Sequence, residues 1–367
     1  MIFLLPPYDF IILNSLFRYG PRSVALAGAA TAASGWFVAS WATGLLGLIG
    51  GQSVLTGIGF GLMYIPGVVA VAGVFSKRRS LAIGLALCGS GAGQVLLGPL
   101  VGALLEVLGW RSAFRVMSAL CLGCGAAGLL MPTPNNKKNI EAGVESEADV
   151  TEVGVWKARV LGRCIAVQEQ VPVFLLYALG DGFAVMALYI PYSCIPDLAN
   201  SSGISPTLAT LLIASLGVGS VVGRLSSGWL CDQPWVKPLN LTRMAITVAA
   251  PIPLIYAMSP PCFLLLAGLC CLLGLVTGAW ISATSPLLVT LLGLPQLGTA
   301  FGRLTAVRGV AALASPPLAA MLAEHMAMPL LPLYLSSGLF AASTLLFSIA
   351  VLVYDRKMKK YSLYEQI

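Results

Sequence analysis

The sequence predicts an all-α polytopic membrane protein, on three observations. Of its 367 residues, 58 % are apolar and only 10 % charged. Mean hydropathy is +0.90. Soluble domains are about 45–50 % apolar and about 25 % charged, so these charges are too few to clothe a water-facing surface. Third, the apolar residues gather into long runs, and about 20 such residues cross the ~30 Å hydrocarbon core as one helix. Disordered, fibrous, nucleic-acid-binding and disulfide-scaffold classes are thereby excluded, and the bilayer is the expected environment.

In chain order, residues 1–22 form a short apolar segment broken by Pro6, Pro7 and Asp9. It is too short to span, and with no positive charge ahead of it is unlike a signal peptide. Ten apolar runs follow, at 23–43, 46–74, 81–107, 112–131, 173–196, 206–231, 242–259, 262–293, 299–323 and 330–354. Four fall in a first half-bundle, 23–131, and six in a second, 173–354. Between them 132–172 is a charged loop, with Glu141, Glu145, Glu147, Asp149 and Glu152 in its first part. Such composition buries too little apolar surface to fold, so a linker is expected. Val155 to Val171 carries Lys157, Arg159 and Arg163 among apolar residues, which predicts a short helix on the membrane surface. Residues 355–367 form a basic tail.

Lys and Arg are divided very unevenly between alternate loops. Arg18, Arg22, Lys77, Arg78, Arg79, five residues of 132–172, Lys237, Arg243, Arg303, Arg308 and four residues of the tail fall on one side; Arg111 and Arg115 fall on the other. Basic loops stay in the cytoplasm, so both termini are expected there. Most of the nine cysteines (Cys88, Cys121, Cys124, Cys194, Cys262, Cys270 and Cys271 among them) sit in apolar runs, and His325 is the single histidine. Cys121 and Cys124 form a C-x-x-C with no second pair to complete a zinc set. No metal, cofactor or His-based catalysis is expected; an intramembrane enzyme ranks behind the transport readings below.

Shifted by 218 residues, the sequence matches itself. Ala82, Gly84, Gly91, Pro99, Leu100, Leu104 and Glu106 fall on Ala300, Gly302, Gly309, Pro317, Leu318, Leu322 and Glu324. Parallel repeats about an axis along the membrane normal are a transporter feature. Four runs precede the second copy within its half but only two precede the first. Equal halves would have six helices each, so the expectation is a twelve-helix plan without its first two.

The run Phe75 to Gly84, FSKRRSLAIG, with Gly89-Ser90-Gly91-Ala92-Gly93 after it, resembles the loop between helices four and five of the monocarboxylate transporter family, within the major facilitator superfamily. Arg18-Tyr19-Gly20-Pro21-Arg22 resembles the family's loop between helices two and three; Gly59 to Pro66 and Trp110-Arg111 also fit. Ala300 to Pro317 resembles its eleventh helix, with Ser315-Pro316-Pro317 in place of Gly-Pro-Pro. The resemblance covers about 18–131 and 173–354 and implies a major facilitator-like two-half helical bundle, here 4 + 6. It implies a small organic anion as substrate, alternating access, a plasma-membrane location and, for some members, a single-span glycoprotein chaperone. The first-helix signature and its Lys are absent, and Ser220 stands where proton-coupled members carry an Asp four residues before Arg224. Proton coupling of the usual kind is therefore not expected.

Arg224 lies deep in the run 206–231. An Arg at mid-membrane costs about 2.5–3.5 kcal/mol on insertion scales, and a carboxylate offsets that through two parallel hydrogen bonds. Substrate anchoring and a structural ion pair are the two readings. Asp181 is the candidate partner, either for Arg224 or for Arg303. Tyr64 and Tyr189, close to Pro66 and Pro191, are cavity-lining or packing candidates, with Ser220 beside them as a site position. Lys77, Arg78, Arg79, Arg303 and Arg308 are read as topology signals or gate contacts. Gly217, Gly219 and Gly223 sit in an apolar helix with no strand before them, so close helix packing explains them and a dinucleotide loop does not. Asn200-Ser201-Ser202 is a sequon in an outward loop. The leading function is a carrier of monocarboxylates or related anions; the alternative is a truncated, non-transporting form that regulates a full-length carrier.

Overall fold

The computed structural model describes residues 6–75, 78–130, 153–201, 203–260, 262–293, 296–326 and 328–364. Lys77, the acidic part of the central loop and Ser202 of the sequon lie outside them. The elements are α1 (Pro6–Ser40), α2 (Leu45–Leu48), a π-helical turn (Ile49–Leu55), α3 (Thr56–Val74), α4 (Arg79–Ala127) and a short 3₁₀ turn (Gly128–Leu130). Then come α5 (Val153–Ser201), α6 (Pro206–Cys231), α7 (Pro238–Ala249), α8 (Pro251–Met258), α9 (Phe263–Leu292), α10 (Leu297–His325) and α11 (Leu331–Tyr364).

Nine helical stretches among the described residues are long and apolar enough to cross a membrane. One of them, the 49-residue α4, breaks at Gly109, where φ is 73°. The ten runs of the sequence are thus all represented. Gly109 and Gly20 (φ 83°) take a left-handed conformation that only glycine adopts cheaply, so each turns the chain between helices. Gly20 is the centre of the Arg18–Arg22 motif.

Two segments differ from expectation. Helix starts at Pro6, ahead of the Gly20 turn, because a proline at the first helical positions gives up an N–H that would be unbonded anyway. Val155 to Val171 is helical but not separate: α5 runs from Val153 to Ser201, and its membrane-crossing part begins at Pro172. Nothing in 164–172 interrupts the backbone ladder, and Pro172 is tolerated inside the helix.

Helix α6 is the hub. On one face glycines bring it against α9: a Cβ built on Gly219 would lie 1.9 Å from the Cys271 carbonyl, and one on Gly223 1.9 Å from that of Leu275. Reciprocally, a Cβ on Gly274 would lie 1.9 Å from the Leu216 carbonyl. Backbones in direct contact maximise van der Waals attraction, which drives helix association in lipid. On its other face Gly217 and Gly228 meet α4: a Cβ on Gly217 would lie 3.1 Å from the Gly91 carbonyl, and one on Gly228 3.0 Å from that of Ser80.

The α4–α6 seam ends in a cap supplied in trans. Helix α4 starts with no side-chain cap of its own. Asp232, just past α6, accepts from the backbone N–H of Ser80 (3.1 Å) and Leu81 (3.0 Å). A carboxylate at a helix N-terminus satisfies unbonded donors and complements the dipole. A cavity of about 460 Å³ lies beside it, lined by Arg79, Asp232, Lys237, Pro286 and Tyr354 among others. Lys237 also pairs with Asp355 at 3.0 Å, both well exposed, so this pair contributes little.

Two outcomes are expected. Gly219→Ala and Gly274→Ala should each lower thermal stability in detergent by about 1–3 kcal/mol or more, the cost of overpacking. Gly268→Ala, where a Cβ meets open space, should not; equal melting of all three would contradict the packing described. Asp232→Ala should speed hydrogen exchange in the first turn of α4 roughly fivefold, the ~1 kcal/mol of a lost cap, and unchanged exchange at Ser80 and Leu81 would refute it.

Candidate functional site

Two arginines enter the interior of the bundle, and they are satisfied differently. Asp181 on α5 is 0 % exposed and receives Arg308 of α10 on both oxygens, Nε to Oδ2 at 2.7 Å and Nη2 to Oδ1 at 2.8 Å. Trp280 on α9 donates its Nε1–H to Oδ1 at 3.1 Å. The guanidinium also donates to Thr284 Oγ1 at 2.8 Å, and its carbon lies 5.4 Å from the Trp280 ring centroid. Tyr177 reaches Thr284 at 3.3 Å and stacks on Phe347 of α11 at 5.0 Å. One ion pair therefore ties α5, α9 and α10 together, with both Asp181 oxygens and the Nε and Nη2 of Arg308 engaged.

Two expectations are corrected here. Asp181 pairs with neither Arg224 nor Arg303; its partner is Arg308, and Arg303 is exposed on the other side of α10. Arg308, read as a topology signal or gate contact, faces inward: eleven residues into α10, its side chain is 14 % exposed. The reason is helical phase. Residues 303 and 308 are five apart, about 140° around a helix of 3.6 residues per turn, so only one of them turns inward.

Arg224 on α6 is 5 % exposed, and among the described residues no carboxylate pairs with it. Its Nη1 donates to the Leu87 carbonyl and to Ser90 Oγ, both on α4. Its Nε is buried with no acceptor among the described residues. The guanidinium thus crosses from the second set of helices to the first and keeps unused donors. A buried cation without an anion is costly, and an unmet buried donor adds to that cost.

Tyr64 and Tyr192 stand within electrostatic range of Arg224, and further aromatic and amide groups adjoin these two. Tyr64 of α3 lies 5.9 Å, ring to ring, from Phe301 of α10 and is partly exposed; it stands within electrostatic range of both arginines. Tyr189 and Tyr192 of α5 are 6.3 Å apart, and Tyr192 donates to Gln94 Oε1 of α4 at 3.4 Å. Tyr189 is in range of Arg308 and Tyr64, and Tyr192 of Arg224. The structure therefore brings together Arg224, Tyr64, Tyr189, Asp181 and Arg308. It sets Ser220 apart: that residue is 3 % exposed with its backbone against Gly274 and Gly278 of α9. Arg78 is exposed, and Arg79 donates Nε to the Phe75 carbonyl at 3.1 Å; neither reaches the centre. Sequence reasoning missed Ser90, Gln94, Trp280, Thr284 and Phe301. Gln94 follows Ser90 by one helical turn, a spacing that places both on one face of α4; no sequence signal marks the others. Among the described residues no three His, Cys, Asp or Glu side chains gather to hold a metal.

Residues 3–269 match the family model described as Major Facilitator Superfamily. Monocarboxylate transporter 12 of rat is 30 % identical over 346 residues, covering 88 % of this chain and 70 % of the relative. Monocarboxylate transporter 12 of mouse is 28 % identical over 379 residues, 98 % of this chain and 76 % of the relative. Monocarboxylate transporter 11 of mouse is 28 % identical over 343 residues, 91 % and 71 %. Among solved structures, the major facilitator transporter FucP in the outward conformation superposes with a TM-score of 0.63 at 14 % identity, covering 94 % of this chain and 86 % of that one. The proton:xylose symporter XylE does so at 0.65 and 11 %, covering 93 % and 82 %; at such identities these two speak for the fold alone. The chain belongs to the major facilitator superfamily and, within it, to the monocarboxylate transporter family: it is an integral membrane transporter of small molecules.

Proposed function

We propose that the protein carries small organic monocarboxylates by alternating access, with Arg224 holding the carboxylate. The observation that carries this reading is the state of the guanidinium: buried, engaged on one nitrogen, with no carboxylate partner among the described residues and Nε unbonded. A guanidinium presents its donors in a rigid fork that fits a carboxylate through two parallel bonds. The phenols of Tyr64, Tyr189 and Tyr192 and the amide of Gln94 supply further polar contacts for the rest of the substrate, and Phe301 an apolar one. Rocking of the two halves would open and close the α4–α6 seam, with the Asp232 cap at its end as the contact to be broken and remade.

Asp181 and Arg308 serve this reading as a brace. Their pair neutralises itself, so Arg224 is left as the charge that selects an anion. Proton coupling is not part of the proposal, because Asp181 is fully engaged and Ser220 occupies the position where coupled relatives carry an acid. Both termini in the cytoplasm and a plasma-membrane location follow from the Lys and Arg distribution and from the family; a single-span glycoprotein chaperone is included on the family's account alone.

In proteoliposomes offered radiolabelled pyruvate, lactate, butyrate and benzoate, the parent protein should take up at least one of them. Arg224→Ala should reduce that uptake to background while the protein remains folded; uptake at the parent's rate would overturn the anchoring role. Asp181→Asn and Arg308→Met should each cost about 3–5 kcal/mol of stability, because one charge is left buried and alone. The double variant should recover most of that loss. Additive losses would mean that the two side chains do not act as a pair.

A further inference from the structure

We infer that Ser90 is the residue that aims Arg224 at the carboxylate, a reading that rests on the anchoring role proposed for Arg224. Nη1 carries two hydrogens, and α4 supplies an acceptor for each: the Leu87 carbonyl and Ser90 Oγ. The Ser90 hydroxyl itself donates to the Leu87 carbonyl at 3.2 Å, which turns its oxygen lone pairs towards the guanidinium. With one nitrogen of a planar group held at two points, the plane can no longer swing about the end of the side chain. The donors that remain are Nε, buried without a partner, and Nη2, for which the described residues provide no acceptor. These two nitrogens share one edge of the fork, and their N–H bonds run parallel, as bidentate carboxylate binding requires. The contacts with α4 therefore leave the edge that the substrate needs without a hydrogen bond, and the carboxylate does not have to displace them.

The backbone of α4 is shaped for this approach. Gly84 and Gly91, two turns apart, both face α6. A Cβ on Gly84 would lie 2.8 Å from the Arg224 carbonyl, and one on Gly91 2.8 Å from Val221 Cγ2 and 3.1 Å from the Gly217 carbonyl. Larger residues at either position would push α4 outward and carry Ser90 beyond hydrogen-bonding distance. Since Ser90 and Arg224 belong to opposite halves, the aligned fork exists only while α4 and α6 are together at this level. Parting them frees Nη1 and lets the guanidinium turn, so the rocking motion itself weakens the grip on the carboxylate. Ser90 is thus a positioning residue whose contact links substrate affinity to the state of the carrier.

The test uses the full chain in proteoliposomes and whichever of pyruvate, lactate, butyrate or benzoate it carries fastest. Ser90→Ala should raise the half-saturation concentration about tenfold, the effect of one lost hydrogen bond to a charged group, with maximal rate and melting temperature close to the parent's. Ser90→Cys, nearly isosteric but a poor acceptor, should behave like Ser90→Ala, and Ser90→Thr, which keeps the hydroxyl, should restore affinity to within about twofold of the parent. An unchanged half-saturation concentration in Ser90→Ala and Ser90→Cys would overturn the inference. So would an equal loss in all three variants accompanied by lower melting temperatures, which marks packing alone. Arg224→Ala in the same assay separates the two proposals: if it transports normally, the anchoring role fails; if it is inactive while Ser90→Ala is normal, only the positioning role fails.

Discussion

A guanidinium in the hydrocarbon core must be answered by something, and much of the interior of this protein is organised around the two that it buries. Arg308 is answered within its own half by Asp181, with Thr284 accepting a further bond from it and Trp280 donating to the carboxylate. Arg224 is answered only in part, by a carbonyl and a hydroxyl from the opposite half. The first arrangement makes a closed, rigid joint. The second leaves hydrogen-bonding capacity over, and it is on these unspent donors that the proposed anion binding rests.

That difference depends on how closely α6 can be approached from either side. With glycines at 219, 223 and 274, α6 and α9 touch backbone to backbone, so α6 is fixed within its own half. With glycines at 84, 91, 217 and 228, α4 comes nearly as close from the other half. Arg224 sits on the second of these seams, against a helix of the other half. Its partners are consequently ones that a change of state can remove, whereas those of Arg308 all belong to helices of a single half.

Much of this was legible in the sequence. Each of the ten apolar runs has a helix at its position, and the 49-residue α4 divides at Gly109, between the third and fourth runs. Arg224 was singled out by its depth in an apolar run, since a cation there is expensive wherever its helix packs. The glycines of 206–231 could be assigned to helix packing because no strand precedes them, and Gly219 and Gly223 do lie against α9. Pairing was harder to read. Asp181 is compatible with any inward-facing arginine of the second half, and Arg303 and Arg308 differ only in helical phase. A one-residue uncertainty in the helix start turns either of them by about 100°. Apart from its spacing to Gln94, Ser90 carried no signal, because a serine between two glycines reads as part of a packing stripe until its neighbour across the seam is known.

Sequence by itself determined that the chain lives in a bilayer, where its long apolar helices lie, where it turns and which family it resembles. These follow from local quantities: the hydropathy of twenty-residue windows, the conformational freedom of Gly20 and Gly109, and motifs confined to single loops. Tertiary structure decided which charges neutralise each other and which one stays without a carboxylate among the described residues. Those outcomes depend on the rotation of each helix about its axis and on the distance between helices more than 100 residues apart, as with Ser90 and Arg224. Neither quantity is written in any one segment of the chain.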